Sequence, residues 1–133
     1  MQRKTTILVI DDDANFRNLL RIHLSHAGYA LEVAEDGVEG GRAVLACSPD
    51  LVLCDLSMPY LDGFELLSLL RGDEHTASIP LIVLSGRGDV DAASRALQLG
   101  AADFLTKPVT REKLLDSVRA CLDKVDGKGA AEE

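Results

Sequence analysis

The chain has little positive charge, little cysteine and no long apolar run, and each shortage excludes something. Fourteen Lys and Arg stand against 22 Asp and Glu, a net charge of -8 with a pI near 4.8. A protein that grips nucleic acid without sequence preference needs a basic face, so no direct nucleic-acid partner is expected. The same deficit disfavours an anionic membrane surface, and much of the excess acid serves solubility. Cys47, Cys54 and Cys121 are odd in number and form no CxxC spacing, so neither a disulfide framework nor a thiolate metal site is expected. Free, mostly buried thiols fit a reducing cytoplasm. Met1-Gln2-Arg3-Lys4 is basic, but the apolar run behind it is only Ile7 to Ile10, too short for a leader or a membrane span.

What is present is an alternation of short apolar runs with helical periods. At 133 residues the chain is one domain with room for a hydrophobic core. Ile7 to Ile10 reads as a first strand running into Asp11-Asp12-Asp13. A helix follows, with Asp13 as N-cap and Gly28 just past its end. Phe16, Leu19, Leu20, Leu24 and Ala27 fall on its inner face, Arg17, Asn18 and Arg21 opposite. A short strand from Tyr29 to Ala34 leads to a helix from Val38 to Cys47, which Gly40 and Gly41 should make the weakest. Leu51 to Asp55 is the third strand, and Asp62 to Arg71 a helix with Phe64, Leu67 and Leu70 inward. Leu69 is an anomaly on its solvent side. Leu81 to Leu84, Asp89 to Leu99 and Ala102 to Leu105 continue the alternation. Thr110 caps a last helix with Leu114, Leu115, Val118, Cys121, Leu122 and Val125 on one face. The domain is read as 1–125, with 126–133 a disordered, polar tail or the start of a linker. Five strands alternating with five helices predict an α/β fold, a doubly wound parallel sheet covered on both faces.

In such a sheet all strand C-termini share one edge, where open α/β folds place their chemistry. Asp11, Asp12, Asp55, Ser85 and Lys107 therefore gather at one rim if strands one, three, four and five are neighbours. Three crowded carboxylates raise one another's pKa unless a cation joins them, and hard oxygen donors with room for water favour Mg²⁺. Such an ion also neutralises an incoming phosphate. Lys107 adds a second positive charge, Ser85 a hydroxyl for a phosphoryl oxygen, and Asp55 is the central nucleophile. Singly, each residue has an ordinary reading: N-cap cluster, turn serine, solvated lysine. Their joint placement at successive strand ends is the signal.

The stretches ILVIDDD, LVLCDLSMPYLDGFELL, IPLIVLSG and LGAADFLTKP resemble the successive signatures of the response-regulator receiver domain of two-component signalling, from about Thr6 to Val125. The resemblance implies a flavodoxin-like five-stranded sheet in the order 2-1-3-4-5. It implies phosphorylation of Asp55, with Mg²⁺ held by Asp11, Asp12, Asp55 and the carbonyl of Ser57. Ser85 matches the switch hydroxyl, Gly86 the small residue beside it, Phe104 the switch aromatic and Lys107 the phosphate-pairing lysine, with a cis peptide at Pro108. Ser57 and Arg87 occupy positions that tune the lifetime of the acyl phosphate. The implied donor is a histidine kinase or histidine phosphotransfer protein. The implied reader is an effector protein, a C-terminal output domain or a second copy, engaging the fourth helix, fifth strand and fifth helix (Asp89 to Leu99, Phe104, Thr110 to Val125). Such a domain is not an enzyme beyond its own phosphotransfer and slow autodephosphorylation. Val109, where Phe is common, and the Gly40-Gly41 pair depart from the pattern without touching the rim.

Two other readings stay open on the residues. Asp11-x-Asp13 with Leu84-Ser85 resembles the haloacid-dehalogenase phosphatases, though Ala14-Asn15 departs from their motif and Asp55 would be left without a role. A receiver-like docking module that is never phosphorylated is the other, although such modules tend to lose an acid or the lysine, and this chain keeps all of them. An FMN-binding flavodoxin is disfavoured by the triply acidic first loop.

Overall fold

The computed structural model describes residues 4–86 and 90–132, with side chains as far as 125. Its elements are β1 (Thr6–Ile10), α1 (Ala14–His26), β2 (Ala30–Ala34), α2 (Gly37–Cys47), β3 (Leu51–Asp55), α3 (Gly63–Arg71), β4 (Leu81–Ser85), α4 (Val90–Gln98), β5 (Asp103–Thr106) and α5 (Arg111–Glu132). The strands form one parallel sheet in the order β2-β1-β3-β4-β5. The α/β fold and its strand order are thus those expected. No helix among the described residues is long and apolar enough to cross a membrane.

The unbroken apolar runs of β1, β3 and β4 occupy the centre because both faces of the sheet are covered. The two-residue period of a strand divides them between two cores. Ile7, Val9, Leu53 and Leu84 pack with Leu20, Leu24, Leu114 and Val118 of α1 and α5. Leu8, Ile10, Cys54 and Val83 pack with Val44, Leu66, Leu67 and Ala96 of α2, α3 and α4. Cys54 and Cys121 are buried free thiols, and Cys47 is half-buried.

Local signals set the helix ends. The Asp13 carboxylate accepts from the amides of Asn15 and Phe16, and Gly28 takes the positive φ of 97° after the last turn of α1. Thr110 Oγ1 accepts from the Lys113 amide at 3.1 Å. Asp62 and Glu65 close a reciprocal capping box at the start of α3.

Some facing assignments need correction. Leu19 is 44% exposed, because the buried stripe of α1 is centred on Leu20 and Leu24 and a neighbouring residue turns about 100° away from it. Arg17, read as solvent-facing, instead donates Nη1 to the Asp11 carbonyl at 2.6 Å. Val125 is 47% exposed, and Leu66, absent from the expected inner face of α3, is fully buried. Leu69 is exposed as read. The helical backbone of α5 runs on to Glu132 through most of the stretch read as a tail.

Gly40 has a packing reason. A Cβ there would stand 2.5 Å from Ile10 Cδ1, so α2 lies on β1 with no room for a methyl group. A Cβ on Gly41 would meet only Leu66 Cδ1, at 3.9 Å. Opposite signs are expected in urea unfolding: Gly41→Ala stabilises by about 1 kcal/mol through helix propensity. Gly40→Ala destabilises by about 1–3 kcal/mol through overpacking, and a stabilised Gly40→Ala would show that Ile10 yields freely.

Candidate functional site

The sheet brings the acidic rim together. Asp55 ends β3 and is 7% exposed, Asp11 follows β1 and is fully buried, and Asp12 beside it is exposed. Ser85 ends β4 and is buried, and Lys107 follows β5. Parallel register aligns Ile10 with Cys54, Asp55 with Leu84 and Ser85 with Thr106. Backbone bonds carry the ladder just past the strands: Leu56 N–H to Leu84 O at 2.8 Å, and Lys107 N–H to Ser85 O at 2.7 Å. The rim is therefore a continuation of the sheet.

One carboxylate oxygen from each of Asp11, Asp12 and Asp55 lies within 4.8 Å of the others. The Asp13 amide donates to Asp11 Oδ1 at 2.9 Å, which fixes the Asp11 carboxylate from one side. Lys107 Nζ fixes it from the other, at 2.9 Å from Asp11 Oδ2, and also reaches Asp55 Oδ1 at 3.3 Å. The ammonium sits over the Phe16 ring, 4.3 Å from its centroid. The Lys107–Pro108 peptide is cis.

Burial and then the adjacent Asp11 charge push the Asp55 carboxyl up from 3.8 to about 6, with Lys107 pulling the other way. Burial pulls the Lys107 ammonium down, but its bond to Asp11 and the Asp55 charge outweigh that, and its pKa lies above the ordinary value. The site thus holds more negative charge than its one described ammonium neutralises.

Beside the acids an open cleft is lined by Asp12, Leu56, Ser57, Met58, Asp62 and Phe64, with Ser57 exposed on its lip. Space is left at the end of β4, where a Cβ on Gly86 would meet nothing within 4 Å. Phe104 is half-buried against the core on the α3 and α4 side. Arg87 lies outside the described residues.

Three contributors were not legible as such. Phe16 was assigned to the core, and Arg17 to solvent. Phe16 does pack on the core, but its ring also lies beneath Lys107, and Arg17 turns instead to the Asp11 carbonyl. Their place within the first turn after the acidic triplet is the only signal the chain carries. The third is Gly63, where a Cβ would stand 3.0 Å from Asp55 O and Leu56 Cα. The start of α3 is pressed against the loop that leaves Asp55.

Residues 7–119 match the family model for the response regulator receiver domain. The chain belongs to that family. It is 41% identical over 120 residues to the DNA-binding dual master transcriptional regulator RpaA of Synechocystis, covering 90% of this chain and 50% of that protein. It is 41% identical over 126 residues to the response regulator MprA of Mycobacterium tuberculosis, covering 95% and 54%. The receiver domain described here spans about half the length of these curated relatives. Among solved structures it resembles the signal receiver domain of a signal transduction histidine kinase from Syntrophus aciditrophicus, with TM-score 0.84 and 33% identity over 91% of this chain and 92% of that one. The receiver domain of the Francisella response regulator 1452 matches with TM-score 0.84 and 30% identity over 90% and 98%.

The raised Asp55 pKa has a stability consequence. A carboxyl whose folded-state pKa exceeds its unfolded value opposes folding when ionised. That penalty is complete above about pH 6 and disappears as the pH falls towards 4. In EDTA, Asp55→Asn should raise the melting temperature of the receiver domain by several degrees at pH 7 and by little at pH 4. A gain that is the same at both pH values would contradict the assigned cause.

Proposed function

We propose that this receiver domain accepts a phosphoryl group on Asp55 from a phosphohistidine of a histidine kinase or phosphotransfer protein. The observation that supports this best is the placement of Asp55 Oδ1, 3.3 Å from Lys107 Nζ, in a rim with Asp11 and Asp12. An Asp55 carboxylate oxygen attacks phosphorus, a P–O bond forms as the P–N bond to the donor imidazole breaks, and the imidazole leaves with the bonding pair and takes a proton. At neutral pH Asp55 is ionised but poorly neutralised, which suits it to attack an electrophile.

The donor set fits Mg²⁺, being three hard carboxylates of which Asp12 opens to solvent and leaves room for water. Asp11, Asp12, Asp55 and the Ser57 carbonyl would hold the ion. When bound it supplies positive charge to the oxygens of the transferring group. Lys107 then exchanges its Asp55 contact for a phosphoryl oxygen, and the Ser85 hydroxyl turns to another. Phe104 follows into the space so released, and the α4–β5–α5 face changes shape. That bias of a two-state equilibrium is the signal, read by an effector protein, a C-terminal output domain or a second copy. Ser57 and Arg87 set how soon water cleaves the acyl phosphate, and the setting is the cytoplasm. The domain turns over no separate substrate.

Asp11, the nucleophile of the rival phosphatase reading, is poorly placed for attack. It is fully buried, with one oxygen on the Asp13 amide and the other on Lys107.

Incubation with Mg²⁺ and acetyl phosphate followed by intact mass should show one added phosphoryl group. The group should be missing from Asp55→Asn and from samples in EDTA. A label that survives Asp55→Asn and vanishes in Asp11→Asn would establish the phosphatase reading instead. Lys107→Ala should still label, about tenfold or more slowly, because the rim keeps its nucleophile and loses a fixed charge. Labelling at the wild-type rate would remove Lys107 from the chemistry.

A further inference from the structure

The Lys107 ammonium has an uncharged neighbour besides its two acids. The residue is fixed at its backbone by the bond from its amide to Ser85 O at 2.7 Å. At the other end of the side chain Nζ reaches Asp11 Oδ2 and Asp55 Oδ1, at 2.9 and 3.3 Å. The Phe16 ring completes the set, with its centroid 4.3 Å from Nζ. An ammonium is a compact charge with three donors on a flexible stem, so two acceptors alone let it swing about them. A ring face on a further side limits that swing. The Lys107 side chain is only 20% exposed, and a ring attracts a cation more strongly where water is kept away.

The acidic loop itself sets the ring in place. Phe16 lies in the first turn of α1, where its amide donates to Asp13 Oδ1 at 3.3 Å. The next residue ties the same turn to the loop, Arg17 N–H bonding Asp13 O at 2.9 Å and Nη1 bonding Asp11 O at 2.6 Å. The Phe16 side chain also packs on the core shared by α1 and α5. One short segment thus delivers both the acids and the ring, and Lys107 meets them from the end of β5. The two kinds of contact respond differently to a change at Asp55. Its ion pair with Lys107 depends on the carboxylate charge, whereas a phenyl ring neither titrates nor accepts a phosphoryl group.

We propose that Phe16 is a positioning residue for Lys107, its ring keeping Nζ at the rim while the ammonium exchanges the Asp55 oxygen for a phosphoryl oxygen. A positive charge already in place needs no reorganisation at the moment of transfer, so the ring speeds acceptance of the phosphoryl group. The rate effect rests on the phosphoacceptor reading above, whereas the ring contact does not.

Labelling of the full chain by acetyl phosphate and Mg²⁺, followed over time by intact mass, tests the rate effect. Fluorination weakens the negative face of a ring and nearly keeps its shape. Replacing Phe16 by monofluoro- and then trifluorophenylalanine should therefore slow labelling in steps, the second by about three- to tenfold. Phe16→Leu should slow it at least as much, and Phe16→Tyr by less than about twofold. In a Lys107→Ala background Phe16→Leu should alter the rate by less than about twofold, because the partner of the ring is gone. A rate indifferent to fluorination, or an equal loss from Phe16→Leu with and without Lys107, overturns the rate effect. Proton NMR of the metal-free protein tests the contact: the ε-methylene protons of Lys107 should be shifted upfield by the ring and lose that shift in Phe16→Leu. No such shift in the wild type overturns the contact. If the wild type takes up no phosphoryl group, the Asp55 reading and the rate effect fall together, and the ring shift still decides the contact.

Discussion

A single ammonium group spans two carboxylates that would otherwise repel each other across the end of the sheet. Lys107 Nζ lies 2.9 Å from Asp11 and 3.3 Å from Asp55, although the first pair is 96 residues apart in sequence. Burying such charges is costly unless every one is paired and hydrogen-bonded. The surroundings meet that demand from several directions: the Asp13 amide on Asp11, Arg17 on its carbonyl, and Phe16 beneath the ammonium. The pairing is still incomplete, and the carboxyl pKa of about 6 at Asp55 is its electrostatic signature. A site left short of positive charge suits the cation and the phosphoryl group proposed for it. Stability is given up at the rim.

The sheet makes this arrangement possible by being covered on both faces. Two-sided burial leaves polar side chains a place only at the strand ends, and parallel strands put all of their C-termini on the same side. Close approach of the helices then sets the spacing. Gly40 lets α2 settle on Ile10, and Gly63 lets α3 press on the backbone that leaves Asp55. Gly40 looks like a flaw when its helix is considered alone. In the packed molecule each is the condition for contact.

Family membership accounts for the fold and the layout of the rim. It does not dictate the contacts around α4, a helix with one buried residue among those described. The contacts of Arg71, on α3, and of Arg95, on α4, differ in kind. The Arg71 bonds are directional and end on backbone, while Arg95 lies over the face of the Phe64 ring.

The order of strands and helices, the two-faced cover of the sheet and the rim residues Asp11, Asp12, Asp55, Ser85 and Lys107 were legible in the sequence. They depend on short-range features: apolar runs, helical period, caps, and a polar residue where each run stops. The strand order came from resemblance alone, because nothing local states which strand lies beside which. Tertiary structure alone decided that Lys107 bridges two aspartates, that Arg17 turns inward and Leu19 outward, and that Gly40 and Gly63 mark close approaches. It also decided that Arg71 ties two loops together. Each of these is a contact between segments distant in the chain, or a choice among faces of one helix. A one-dimensional pattern fixes the period of a helix but not the angle at which its neighbours meet it.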